Sequence, residues 1–228
     1  MAELGTIVVT GGASGLGAAT ACAVAAAGGT PVVLDRQPPP GGFEHELVDL
    51  ADTAAAEAAV CAVVERHRGL DGIVTCAGTD VPAPLHALDR TTWERIVAVN
   101  LLATAAVVRA ALPALIDAHG TVVTVASTLG LRGAGDATAY CASKFGVIGF
   151  TRALAAETAG RVGVTLLVPG GMATAFFDAR DEQYRPPPDA RLSPPEEVAD
   201  AVVYALTRPP GVEVREMVVC PSTESSWP

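Results

Sequence analysis

Short, continuous apolar runs alternate with alanine-rich helical stretches along the whole of this chain, and no other feature narrows its fold as far. Strand candidates fall at Thr6–Thr10, Pro31–Leu34, Glu46–Val48, Gly72–Thr75, Thr121–Ala126, Gly163–Val168 and Glu216–Cys220. Most are rich in Val and Ile and lack period-2 alternation, the pattern of strands covered by helices on both faces of a parallel sheet. Between them the sequence predicts helices over about Leu16–Ala27, Thr53–His67, Thr91–Ala118, Ala139–Thr158 and Pro194–Thr207. The alternation implies a doubly wound α/β fold, seven parallel strands flanked by helices. Ser193-Pro194-Pro195-Glu196 reads as the start of the last helix, with Ser193 as its cap and Glu196 completing a capping box. At 228 residues the chain suits one domain, since single cores stop growing only above about 250–300 residues.

Charge and residue spacing remove several classes of function. With 25 Asp and Glu against 15 Lys and Arg, the net charge of −10 argues against nucleic acid, whose phosphates need a basic footprint. No stretch approaches the roughly 18 uninterrupted apolar residues of a membrane span. Met1–Thr10 runs straight into a strand without a basic leader or cleavage site, so a cytoplasmic location is expected. The five cysteines (Cys22, Cys61, Cys76, Cys141, Cys220) are scattered and read as small buried thiols. His45, His67, His86 and His119 show no metal-ligand spacing, and no metal is expected.

Two stretches break the rhythm. Residues 37–44 (QPPPGGFE) are too rich in Pro and Gly to be regular. Residues 176–192 carry Pro186-Pro187-Pro188 with Phe176, Phe177 and Tyr184, and read equally as a lid-like loop over about 174–193 or as a plain connector.

Thr10-Gly11-Gly12-Ala13-Ser14-Gly15-Leu16-Gly17 lies where the first strand becomes the first helix. Glycines there permit positive φ and let the backbone approach a pyrophosphate resting on the helix N-terminus. Ala18-Ala19 follow, so the Lys-Ser/Thr of a nucleotide triphosphate loop is missing, and Leu16 stands where a nucleophile elbow needs its final glycine. A dinucleotide is what remains. Asp35 ends the second strand 18 residues beyond Gly17, where a carboxylate can accept hydrogen bonds from the adenosine ribose. A 2′-phosphate facing it would meet a like charge, at about 4 kcal/mol for ~4 Å and an effective dielectric near 20. Arg36 offsets part of that and Ser14 is not basic, so the sequence favours NAD over NADP.

Tyr140 and Lys144 stand four apart near the start of an apolar helix and so share a face. A free phenol titrates near ~10, and bringing it to about 7 takes about 4 kcal/mol, which one ammonium at ~4–5 Å in a partly dry site can supply. Such a tyrosine exchanges a proton with an alcohol or ketone as hydride moves. Ser127 follows the fifth strand, thirteen residues earlier, at the sheet edge where α/β folds bind ligands.

Taken in order, these residues resemble the short-chain dehydrogenase/reductase family over nearly the whole chain: its TGxxxGxG turn, strand-end Asp, Ser and YxxxK. The resemblance implies a single NAD(P)-binding Rossmann domain over 1–228 and four catalytic residues, Asn100, Ser127, Tyr140 and Lys144. Ser127 would bind the substrate oxygen and Tyr140 would transfer the proton. Lys144 would also hold the nicotinamide ribose, and Asn100 would seat a relay water. Cofactor contacts are implied at Gly11, Ser14, Gly15, Leu16 and Gly17, at Asp35 and Arg36, and at Asp49-Leu50. Further contacts are implied at Cys76-Ala77-Gly78, at Tyr140 and Lys144, and at Pro169-Gly170 with Met172 and Thr174. Four departures stand out: Thr75-Cys76-Ala77-Gly78 replaces the family's Asn-Asn-Ala-Gly, Thr165 replaces an asparagine, the segment from Thr174 to Ser193 is shorter than in many relatives, which implies an open or small lid, and the tail lacks Asp-Gly-Gly.

The expected activity is hydride transfer between NAD and a secondary alcohol or ketone. An NADP-dependent ketoreductase, for example on 3-oxoacyl thioesters, and a non-catalytic dinucleotide-binding scaffold stay open as alternatives. Substrate contacts are expected from Thr79–Pro82, Leu129–Gly133, Met172 and Phe176–Tyr184. Arg132, Arg180 and Arg185 are each read as surface side chains before anion contacts. The helices over Thr91–Ala118 and Ala139–Thr158 resemble the family's dimer-forming pair, which implies a homodimer or homotetramer.

Overall fold

A computed structural model describes residues 4–209 and 211–227. Seven strands form one parallel sheet: β1 (Thr6–Thr10), β2 (Thr30–Asp35), β3 (Glu44–Leu47), β4 (Gly72–Thr75), β5 (Thr121–Val125), β6 (Gly163–Pro169) and β7 (Glu216–Val219). Their order, β3-β2-β1-β4-β5-β6-β7, reverses beside β1, which opens a crevice at the carboxyl ends of β1 and β4. The helices are α1 (Gly15–Ala26), α2 (Thr53–His67), α3 (Arg90–Val97), α4 (Ala103–Ala118), α5 (Thr138–Glu157) and α6 (Pro195–Leu206). Central strands carry apolar residues on both faces because both are covered. Val8, Val32 and Val122 pack into one core layer, and Val9, Val74 and Val123 into the other. The register pairs Thr10 with both Leu34 and Thr75, and Val125 with Leu167, so the segments that follow β1, β2, β4, β5 and β6 all emerge along one edge.

The helix expected over Thr91–Ala118 is interrupted by a π-helical turn at Ala98–Leu102, which places the wholly buried Asn100 at the distortion. Such turns shift the register of the side chains that follow and recur at functional sites. Taken together, residues 90–118 make a helical run of 29 residues, long and apolar enough by composition to cross a membrane. Arg95, Asn100 and Arg109 interrupt it, so it is not the uninterrupted apolar stretch of a span. Half of its most apolar window is buried inside the protein, with Val107, Ala111 and Leu115 in the core.

Other expectations also change. Ser193 does not cap α6: Pro194 takes the cap position with no side-chain bond. Ser193 is instead committed to extended pairing, its N–H donating to the Gly171 carbonyl (2.9 Å) and its carbonyl accepting from Ala173 N–H (2.9 Å). Glu196 and Glu197 favour the helix start through the dipole instead. Of the cysteines, Cys141 is buried, but Cys22 and Cys61 lie on the outer faces of α1 and α2 and are exposed. Residues 37–44 contain a single 3₁₀ turn at Pro40–Gly42, and β3 already begins at Glu44.

Candidate active site

The turn after β1 is built for close approach. Gly11 and Gly15 take φ of 71° and 51°. A side chain at Gly11 would come within 2.7 Å of the Ala77 backbone, and one at Gly17 would run into the Gly11 carbonyl. Ser14, the residue before α1, leaves its hydroxyl unused at the helix end. Asp35 is tied into this turn, accepting from Ala13 N–H (3.0 Å) and Gln37 N–H (3.1 Å). Asp49 accepts from Ala51 N–H (3.0 Å) and from Arg95 Nη2 (3.0 and 3.1 Å). The backbone bond to Ala51, then Arg95, hold its carboxyl below the usual range.

Hydrogen bonding after β4 is rebuilt without the missing asparagine. Thr10 Oγ1 accepts from Ala77 N–H (3.2 Å), and Cys76 Sγ lies 3.8 Å from Thr20 Oγ1. Burial pushes the Cys76 thiol up to about 12, so it sits there as an inert space-filler. Thr165, the other departure, donates from its hydroxyl to the Val214 carbonyl (2.7 Å) and ties β6 to the approach of β7.

Ser127 leaves β5 with its hydroxyl accepting from Leu129 N–H (3.1 Å), while Tyr140 and Lys144 occupy the first turns of α5. The Lys144 ammonium lies 5.8 Å from the Tyr140 ring centroid and donates to the Val125 carbonyl (2.9 Å). Burial brings the lysine down to about 8. Burial likewise pushes the Tyr140 phenol up to about 12; Ser127 and Arg180 act to lower it, and Asp80 to raise it. Without dinucleotide the expected lowering of the phenol by Lys144 is not seen, because the ammonium is engaged by a backbone carbonyl and desolvation dominates.

Asn100 stands behind this group rather than in it. Its Oδ1 accepts from Thr79 N–H (2.8 Å), and its Nδ2 donates to the Thr79 carbonyl (3.0 Å) and to Ser143 Oγ (3.0 Å). Ser143 in turn donates to the Tyr140 carbonyl (2.7 Å). One amide thus joins the segment after β4 to the helix that carries Tyr140.

Ser127, Tyr140 and Lys144 border a cavity of about 1120 Å³ that every expected cofactor position also lines, while Asn100 lies outside its wall. That volume suits a dinucleotide together with a small substrate. The substrate end is closed by residues from the expected stretches Thr79–Pro82 and Phe176–Tyr184, through pairings that spacing did not reveal. Arg180 donates to Asp80 (2.8 Å), with side-chain exposures of only 15% and 4%. Its guanidinium lies 5.0 and 4.7 Å from the rings of Phe176 and Phe177, and Phe176 packs on Tyr140 at 5.9 Å. Tyr184 donates to Asp136 (2.9 Å), and Arg185 to the carbonyls of Arg180 and Asp178.

The tail also lines the cavity. Glu224 accepts from Gly171 N–H (2.9 Å), Arg132 donates to the Ser225 carbonyl (3.0 Å), and the hydroxyls of Thr128 and Ser226 lie 2.7 Å apart. Of the three arginines read as surface side chains, Arg132 and Arg185 are exposed and bond to backbone carbonyls, while Arg180 is drawn inward onto Asp80. For the tail the sequence carried no signal beyond a short polar stretch.

Comparison with known proteins agrees with this architecture. Residues 5–185 match the family described as short chain dehydrogenase. The chain is 33% identical over 205 residues to a short-chain dehydrogenase/reductase, ABA4, of Pyricularia oryzae, covering 82% of this chain and 76% of that protein. It is 34% identical over 216 residues to the cis-4-hydroxycyclohexanecarboxylate dehydrogenase of Sinomonas cyclohexanicum, covering 86% and 87%. Its fold is similar to that of the aldohexose dehydrogenase of Thermoplasma acidophilum, with a TM-score of 0.87 at 22% identity over 96% of this chain and 93% of that one. With the family match running from the first strand into the loop over the cavity, the chain belongs to the short chain dehydrogenase family and is an NAD(P)-dependent oxidoreductase.

Proposed function

We propose that this protein interconverts a secondary alcohol and its ketone with NAD, and that Tyr140 carries the proton. One observation supports this above the rest. Ser127, Tyr140 and Lys144 border the same cavity as the glycine turn and Asp35. When bound, the nicotinamide supplies the hydride acceptor or donor. Gly11, Gly15 and Gly17 with the α1 N-terminus would hold the pyrophosphate; Asp35 would hold the adenosine ribose, and the Pro169-Gly170 turn with Met172 and Thr174 the nicotinamide end.

Ser127 hydrogen-bonds the substrate oxygen and stabilises charge developing there. Tyr140 takes the hydroxyl proton in oxidation and returns it in reduction. Burial keeps its phenol protonated at rest, so the proton for reduction is in place. Service as a base requires positive charge beside it, which the Lys144 ammonium supplies in part. Asn100, with its side-chain amide committed to Thr79 and Ser143, acts through position; a relay water would have to be held by other atoms.

Asp35 supports NAD over NADP, since its carboxylate stands at the end of β2 on the cavity wall with Arg36 as its cationic neighbour. The loop over 174–193 acts as a pinned wall of the substrate end of a single domain. The chain is proposed to self-associate through the helical run over 90–118 and α5, where Leu102 and Phe145 are 51% and 48% exposed. Fluorescence titration with NADH and NADPH tests the cofactor reading, with tighter NADH binding expected. A protein that binds dinucleotide yet oxidises and reduces no member of a secondary alcohol and ketone panel would be the scaffold.

A further inference from the structure

We infer that Asp80 and Arg180 form a subsite for a second hydroxyl of the substrate, so that vicinal diols, polyols or the matching hydroxyketones are preferred over simple alcohols. This rests on the oxidoreductase reading above and adds the substrate class. A guanidinium carries five N–H donors. Arg180 directs Nη2 to Asp80, while its Nε is sealed from solvent with no partner. Among the described residues, only Thr75 Oγ1 is likewise a buried side-chain polar atom without a partner. A buried donor left unpaired is costly, which marks the fork as built for something more than Asp80.

Placement says what that is. Asp80 and Arg180 line the same cavity as Tyr140, and Arg180 reaches it across Phe176, whose ring touches both. Both charges are near enough to bias the Tyr140 phenol, in opposite directions. A ligand group here meets a donor fork and a carboxylate acceptor side by side. A hydroxyl satisfies both, accepting from the one and donating to the other. A substrate carboxylate offers acceptors only and faces the Asp80 charge, whose repulsion offsets the pull of Arg180. An alkyl group satisfies neither.

The test compares kcat/KM of the NAD-loaded enzyme for 2,3-butanediol, 2-butanol and 3-hydroxybutyrate, which share a four-carbon chain. The expected result is a preference of about tenfold or more for the diol over both others, as sites that hydrogen-bond a hydroxyl reject analogues lacking it. Arg180→Lys and Asp80→Asn should each bring the diol to 2-butanol ratio down towards one. Equal rates on diol and 2-butanol, or a preference for 3-hydroxybutyrate, overturn the subsite. If none of the three is turned over while NADH still binds, it is the oxidoreductase reading that fails. The subsite is then decided by saturation-transfer NMR with erythritol on the NADH complex. Binding that both variants weaken supports it, and binding that is absent or unchanged overturns it.

Discussion

Lys144 gives its ammonium to the Val125 carbonyl at 2.9 Å, not to the Tyr140 phenol that shares its helix face. The bond anchors α5 to the end of β5, at a site where burial pulls the ammonium's pKa down to about 8.

That arrangement sets a pH dependence. Burial lowers the Lys144 pKa from 10.5 to about 8, so between those values the unfolded chain binds more protons than the folded one. Stability therefore climbs as pH rises from about 8 to 10.5, and the full penalty is present below 8. Lys144→Met should remove it, raising stability at pH 7 by up to about 3 kcal/mol less the lost hydrogen bond, while activity is lost. Chemical denaturation of both proteins at pH 7 and pH 10 measures this; the gap should narrow at the higher pH.

Tyr140 should stay a neutral phenol throughout the range in which the free protein is stable, because burial holds it near 12. Ultraviolet difference titration of wild type against Tyr140→Phe reads its ionisation directly. A tyrosinate signal unique to wild type below pH 9, without added dinucleotide, would contradict the burial argument. Added NAD should bring that signal to lower pH, and Tyr140→Phe should cost at least about 100-fold in kcat.

Asp35 is expected to set the cofactor ratio. Asp35→Ser should weaken NADH and strengthen NADPH, moving their Kd ratio by about 100-fold or more, since the like-charge penalty of about 4 kcal/mol disappears. Fluorescence titration of both reduced cofactors measures the ratio. Loss of the bond to Ala13 should also loosen the glycine turn and reduce NADH affinity.

Asn100→Ala should cost about 2–4 kcal/mol, because Thr79 and Ser143 lose partners deep inside the protein. Asn100→Asp should cost at least as much, placing a carboxylate at a wholly buried position. Thermal unfolding measures both.

The tail should matter to binding more than to folding. Glu224→Ala frees Gly171 N–H and the Ser226 hydroxyl at the turn after β6, so KM for the dinucleotide should rise about tenfold while the melting temperature changes by only a few degrees. An unchanged KM would show the tail to be a passive cover.

Much of this was legible in the chain itself. The strand and helix alternation placed every element to within a few residues, because periodicity and glycine chemistry are properties of neighbouring residues. The nucleotide turn, Asp35, and the i, i+4 pairing of Tyr140 and Lys144 are local in the same sense. What only the tertiary structure decided lies across long separations: Arg180 on Asp80, 100 residues apart, and Ser226 on Thr128, 98 apart. Spacing carries no trace of such pairings. The π turn that buries Asn100 also escaped, since its helical pattern continues on both sides. Most consequential are the charges at the centre. The sequence determined that a lysine stands one turn from a tyrosine; how deeply both are buried, and therefore which way each pKa moves, depended on what the rest of the chain packs around them.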